Sequence, residues 1–202
     1  MSMIQTDQRF SDAVAARVAE LERATDAEIV VVAAPRSGSY RDHALTLASL
    51  AALGAFGVLL ALPWPVHPLL AVADLVGVWL LVAWFASAHP VSGRFAGEAR
   101  RRDQVRAAAA AEFHLEAVHA TPRRTGLLVY LSAWERQVEV IPDVGLEARI
   151  PRGELAAATA RLSPTDLDGF LAGLDAVGKV LAAHVPATGE AQLELADAPR
   201  IR

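Results

Sequence analysis

The sequence predicts a single α/β domain interrupted by a two-helix transmembrane hairpin. Three observations carry this. Two long apolar runs, 44–62 and 69–88, flank a short turn and hold one fixed charge between them, Asp74. Strand-like runs occur on both sides of that pair, at 29–34, 127–131 and 137–141. Helical stripes open and close the chain.

Each apolar run is close to the roughly 20 residues that cross a bilayer core as a helix. Pro63, Pro65 and Pro68 end one helix and start the next, so the two are antiparallel neighbours. Small residues at helical spacing, Ala48, Ala52 and Ala55 in the first run and Ala73 and Gly77 in the second, predict close backbone approach. Trp64, Trp84 and Phe85 suit the two interfaces. The alternative is a hairpin buried in a soluble core. The remainder of a 202-residue chain has too little apolar surface to wrap two helices that are apolar all round. Arg36 and Arg41 precede the hairpin, Arg94, Arg100, Arg101, Arg102 and Arg106 follow it, and the turn has neither Lys nor Arg. The positive-inside rule then places both termini in the cytoplasm, with the chain in the inner membrane. His43 and His89 bracket the hairpin, a position more typical of interfacial than of ligating histidine. Asp74 sits near the outer interface, where water or headgroups satisfy a carboxylate.

In residues 7–24 the stripe Phe10, Val14, Val18 and Leu21 predicts an amphipathic helix. The run from Ile29 is continuously β-branched, as in a central strand covered on both faces. Residues 94–119 read as one long helix. Residues 127–131 and 137–141, joined by the four residues from Ala133 to Arg136, read as a β-hairpin. A short helix follows Pro151. The last helix is expected to start at an N-cap Ser163, with Pro164 first and Asp166 three after the cap. Its buried face is Leu167, Phe170, Leu171, Leu174, Val177 and Leu181. Neither flank has enough strands for a sheet of its own. Residues 1–43 and 89–185 therefore read as two parts of one domain, 44–88 as its insertion, and 186–202 as a loose tail.

These flanks resemble the TPM domain family, also called the TPM phosphatase family. The similarity lies in "LERATDAEIVVVAAPRSGSYRDHA", in "AAEFHLEAVHATPRRTGLLVYLSAWERQVEVIPDVGLEARI" and in the closing "GFLAGLDAVGKVLAAH". It covers residues 15–42 and 107–184, and an inserted hairpin resembles a membrane-bound bacterial subgroup. The resemblance implies a small sheet sandwiched by helices. It also implies accessory or repair roles toward a membrane protein, acid phosphatase activity in some members and calcium binding in others.

Composition excludes several classes. With no cysteine there is no thiolate nucleophile and no disulfide, and a net charge of −4 gives no reason to bind nucleic acid. No Gly-rich phosphate cradle is present. If the first two strands are parallel and the third antiparallel, one end of the sheet gathers Asp26, Glu28, Thr125, Asp143 and Glu147. Such hard oxygens suit Ca²⁺ or Mg²⁺, with Asp26, Glu28, Asp143 and Glu147 as candidate ligands. Cap and turn roles explain the same residues. Arg123 and Arg124 stand beside Thr125, either solvated or binding a phosphate. The opposite end gathers Ser37, Ser39, Ser132 and Glu135, without an obvious base. The leading expectation is a non-catalytic membrane scaffold or accessory factor for a membrane protein. The competing one is a divalent-metal-dependent phosphatase.

Overall fold

The computed structural model describes residues 4, 6–38, 41–63, 67–88, 97–189 and 198–202. The chain forms two compact units, one of Met1–Ser37 with Arg102–Arg202, the other of Gly38–Arg101.

The first unit is built on a four-stranded sheet in the order β3-β2-β1-β4. Strand β1 (Glu28–Ala34) pairs in parallel with β2 (Gly126–Ser132), Val31 opposite Val129. Strand β3 (Gln137–Pro142) is antiparallel to β2, Val140 opposite Val129. Every residue of β1 and β2 is buried, which explains their unbroken apolar sequence. Strand β3 is half-buried throughout, as an edge strand is.

Helices cover both faces of the sheet. Helix α1 (Gln8–Glu22), α6 (Arg152–Thr159) and α7 (Leu167–His184) lie on the face of Ile29, Val31, Leu127 and Val129. Helix α1 buries Phe10, Val14 and Val18, as its stripe predicts, each worth about 1.5–3 kcal/mol of transfer free energy. Phe10 meets Phe170 of α7 at 5.6 Å between ring centroids, and Arg17 holds Asp175 at 2.5 and 2.6 Å. Helix α4 (Glu98–Leu115) sets Val105, Ala109 and Phe113 on the other face, against Val30, Val32, Leu128 and Tyr130.

Three details differ from the sequence reading. The long helix stops at Leu115. A left-handed Ala117 (φ 54°) and a 3₁₀ turn, Val118–Ala120, then bring the His119 ring to 5.2 Å from that of His114, centroid to centroid. Helix α7 starts three residues late. Its cap is Asp166, which accepts from the Gly169 N–H at 2.6 Å, while the Ser163 hydroxyl donates to the Asp166 carboxylate. The tail is tied down in two places. Ala187 N–H donates to Ala24 O at 3.3 Å, and β4 (Arg200–Ile201) pairs in parallel with Val32 and Ala33 of β1. Arg202 anchors β4 to Glu112 of α4 at 2.6 Å.

In the second unit α2 (Arg41–Ala61) and α3 (Pro68–Ala88) pack side by side. The stretches Ala44–Ala61 and Pro68–Ala86 are long and apolar enough to cross a membrane. Only 17% and 6% of their residues are buried, whereas a helix in a soluble core is mostly buried. Ala44, Ala48 and Ala52 of α2 are buried, as are Ala83 and Ala86 of α3. This is small-residue packing, but Ala73 and Gly77 are not part of it. Both are exposed, and a Cβ on Gly77 would meet nothing within 4 Å. The Trp79 indole N–H donates to Ser49 Oγ at 3.2 Å, a polar contact between the helices. Leu50, Leu53, Leu60, Leu69, Leu81 and Trp84 all point outward. His89, Arg94, Trp64 and the His43 side chain lie outside the described residues.

Candidate functional site: the two ends of the sheet and its open edge

Parallel pairing of β1 with β2 brings their starts together with the end of β3. Glu28 N–H donates to Thr125 O at 3.1 Å, Thr125 Oγ1–H to Asp26 O at 3.0 Å, and Asp143 N–H to Gly126 O at 2.8 Å. Asp26, Glu28, Thr125 and Asp143 thus gather at one end of the sheet, all buried. Glu147 does not join them. It lies one helical turn beyond Asp143 in α5 (Val144–Glu147) and is exposed on the rim of a cleft beside β3.

The carboxylates at this end are met by arginines. Arg123 Nη1 donates to Asp26 Oδ2 at 2.7 Å; Thr188 donates its N–H to Oδ1 at 2.8 Å and its hydroxyl to Oδ2 at 2.7 Å. Arg124 grips Asp143 with two N–H groups, at 2.7 and 2.9 Å, and this raises the Arg124 pKa above its ordinary value. Asp143 also caps α5, accepting from Val144 N–H at 2.8 Å. A left-handed backbone at Arg124 (φ 56°) turns the chain between the two arginines, so that neighbouring residues serve different carboxylates. Gly145 is needed below them, because a Cβ there would come within 2.4 Å of Arg123 O. The arginines are therefore neither merely solvated nor free for a phosphate. Among the described residues no group of three or more His, Asp or Glu side chains is placed to hold a metal ion. Thr188 was not legible as a partner because it sits in the polar tail and reaches Asp26 only through the fold.

At the opposite end the turn between β2 and β3 folds back onto the exit of β1. Glu135 is buried and accepts the Ser37 N–H at 3.1 and 3.2 Å and the Ser132 hydroxyl. Ser37 Oγ–H donates to Ser132 Oγ at 2.7 Å and lies 2.9 Å from the Tyr130 hydroxyl. Burial pushes the Tyr130 pKa up, so its hydroxyl stays protonated. Arg36 lies over the Trp134 ring at 5.4 Å. Ser132 and Glu135 meet as expected, joined by Ser37, and Ser39 lies outside the described residues. The network ties the turn to the last described residues before α2. Its carboxylate is engaged by backbone and hydroxyl donors rather than poised as a base.

The third feature is the free edge of β3. Asp143 and Gly126 are a hydrogen-bonded pair, so residues at odd positions of β3 face β2. Val138, Val140 and Pro142 then turn their backbone groups outward. Proline is suited to that position, since its missing N–H falls outside the ladder. Along this edge runs a cleft of about 670 Å³, lined by Val138, Val140 and Pro142 and by Arg152, Leu155 and Ala156 of α6. Among the described residues no strand pairs with this side of β3.

Together these features define a helix-covered α/β unit with an apolar two-helix insertion. No family model matches the chain. No curated protein matches it either. Among solved structures it is similar to the NMR structure of BA42 protein from the psychrophilic bacterium Bizionia argentinensis, at 12% identity and a TM-score of 0.58. That similarity covers 97% of this chain and 94% of that one, and it shows likeness of fold.

Proposed function

We propose that this protein is a membrane-anchored accessory module of the TPM type. In this reading α2 and α3 sit in the inner membrane, both termini are cytoplasmic, and the α/β unit holds a membrane protein partner without catalysing a reaction. The observation that carries it is the outward placement of the large apolar side chains on both hairpin helices. Such surfaces are stable in lipid and costly in water. The arginine-rich flanks support the orientation. The TPM assignment rests on the motifs of the flanking segments.

The free edge of β3 is the surface we assign to the partner, which adds an extended segment to the sheet through main-chain hydrogen bonds. The metal-dependent hydrolase reading is not favoured, because the oxygens of Asp26 and Asp143 are occupied by Arg123, Thr188 and Arg124. A photo-crosslinking side chain at Val138 tests the reading in native membranes. A defined adduct is expected, lost with Val140→Pro, which removes an outward N–H without touching the ladder to β2. An adduct unaffected by Val140→Pro would remove β3 as the docking edge. Hydrolysis of a phosphomonoester by purified protein with Ca²⁺, Mg²⁺ or Mn²⁺, abolished by Asp143→Ala, would replace the scaffold with an enzyme.

A further inference from the structure

Helix α4 opens with the run Glu98-Ala99-Arg100-Arg101-Arg102. The Arg100 guanidinium is hydrogen-bonded to Asp42, in the first turn of α2. That ion pair sets the beginning of α4 beside the beginning of α2, two residues before the apolar stretch that starts at Ala44. The next side chain, Arg101, is half-buried there, and its Nε is fully buried with no hydrogen-bond partner among the described residues. A buried guanidinium N–H without an acceptor is costly, and the acceptor that suits it is a planar or tetrahedral anion.

We infer that Arg100 and Arg101 form a binding site for the headgroup of an anionic phospholipid. The inference rests on the reading that α2 and α3 lie in a bilayer. If they do, the place where α2 enters it is lined with lipid phosphates, and two adjacent arginines meet a surface of opposite charge. Arg101 supplies charge, and its buried Nε–H gains an acceptor when the half-buried side chain swings outward to a phosphate. Arg100, already held by Asp42, supplies charge and fixes the helix start. An arginine close to an anionic membrane surface is worth about a five-fold preference, the equivalent of ~1 kcal/mol. Asp42 offsets one of the two charges, so together they favour an anionic lipid over a zwitterionic one by roughly five-fold on the same scale.

The test uses the full chain in a non-ionic detergent, incubated with equal amounts of phosphatidylglycerol and phosphatidylcholine and read by native mass spectrometry. Preferential retention of phosphatidylglycerol is expected. Arg101→Gln should bring the preference near equality, and Arg100→Gln with Arg101→Gln, which leaves Asp42 uncompensated, should not restore it. Arg149→Gln, at an exposed position of the other unit, should leave it unchanged. Equal retention of both lipids by the unmodified protein overturns the inference, as does a preference that survives the double substitution. Loss of the preference on adding millimolar inorganic phosphate would overturn the lipid as ligand and leave a free-anion site. Alkaline washing of native membranes separates this from the reading beneath it. A chain that stays with the membrane but shows no lipid preference defeats only this inference, whereas a chain released into solution defeats both.

Discussion

Substituting Asp26 by Asn separates an ion-paired sheet end from a metal site. Asp26 is 7% exposed and accepts at Oδ1 from Thr188 N–H and at Oδ2 from Arg123 and the Thr188 hydroxyl. Asparagine keeps the shape but turns one oxygen into an NH₂ group. Whichever way the amide is flipped, a donor then faces a donor. A lost hydrogen bond to a charged group costs about 1.5–3 kcal/mol. Arg123 is 34% exposed, so solvent screens its share of the pair and the lower half of that range applies. A cost of about 2 kcal/mol lowers the melting temperature of a domain this size by roughly 4–8 °C. The assay is thermal unfolding of the full chain in mild detergent with EDTA present. A metal site behaves in the opposite way. Without its ion, a cluster of like-charged carboxylates is relieved by losing one charge. An Asp26→Asn protein more stable than the unmodified one in EDTA, together with stabilisation of the unmodified protein by Ca²⁺, would refute the ion-pair account.

Three further outcomes follow from the geometry. The Ser163 hydroxyl, and after it the Gly169 N–H, hold the Asp166 pKa below the ordinary aspartate value. Because the folded value lies below the unfolded one, the cap's contribution is whole above the unfolded value and is lost as pH falls through the folded one. Ser163→Ala should move the Asp166 titration, followed by carboxyl NMR, toward the ordinary value, and no movement would remove the hydroxyl as its main cause. In the hairpin, Ala48→Leu should force α2 and α3 apart at a cost of about 1–3 kcal/mol, whereas Gly77→Leu meets open space and should not. Cross-linking between cysteines at Ser49 and Trp79 reads the difference; equal yields for the two substitutions would contradict the packing. Arg202→Gln should increase amide exchange at Arg202, whose N–H donates to Ala33 O at 3.0 Å, because β4 loses its anchor to Glu112. Unchanged exchange would mean that strand pairing alone holds the tail.

What the sequence revealed depended on how local the cause was. Strands β1 and β2 were legible because burial on both faces demands an unbroken apolar run. The faces of α1 and α7 were legible because Phe10, Val14 and Val18, like Phe170, Leu174 and Val177, repeat at the helical period. The hairpin was legible from length and charge alone. Two residues of β4 have no periodicity, and their place is set by Glu112, 90 positions away. Ser163 and Asp166 are both good caps, and only their mutual hydrogen bond decides between them. At the sheet end the gathering of Asp26, Glu28, Thr125 and Asp143 followed from strand direction, which the sequence suggested. Their chemistry did not, because the side chains of Arg123 and Thr188 reach Asp26 from 97 and 162 positions away. Small residues on α3 were read as contact points, but Ala73 and Gly77 lie on the outward side of the helix.

The absence of native cysteine allows the central claim to be measured one position at a time. Single cysteines at Asp12, His67 and Ser163 report on the first flank, the turn of the hairpin and the second flank. In intact cells a membrane-impermeant maleimide should label His67→Cys alone, and Asp12→Cys and Ser163→Cys should label only after permeabilisation. Labelling of Asp12→Cys or Ser163→Cys in intact cells, or a His67→Cys protein protected like the other two, would contradict a hairpin that crosses the membrane and returns.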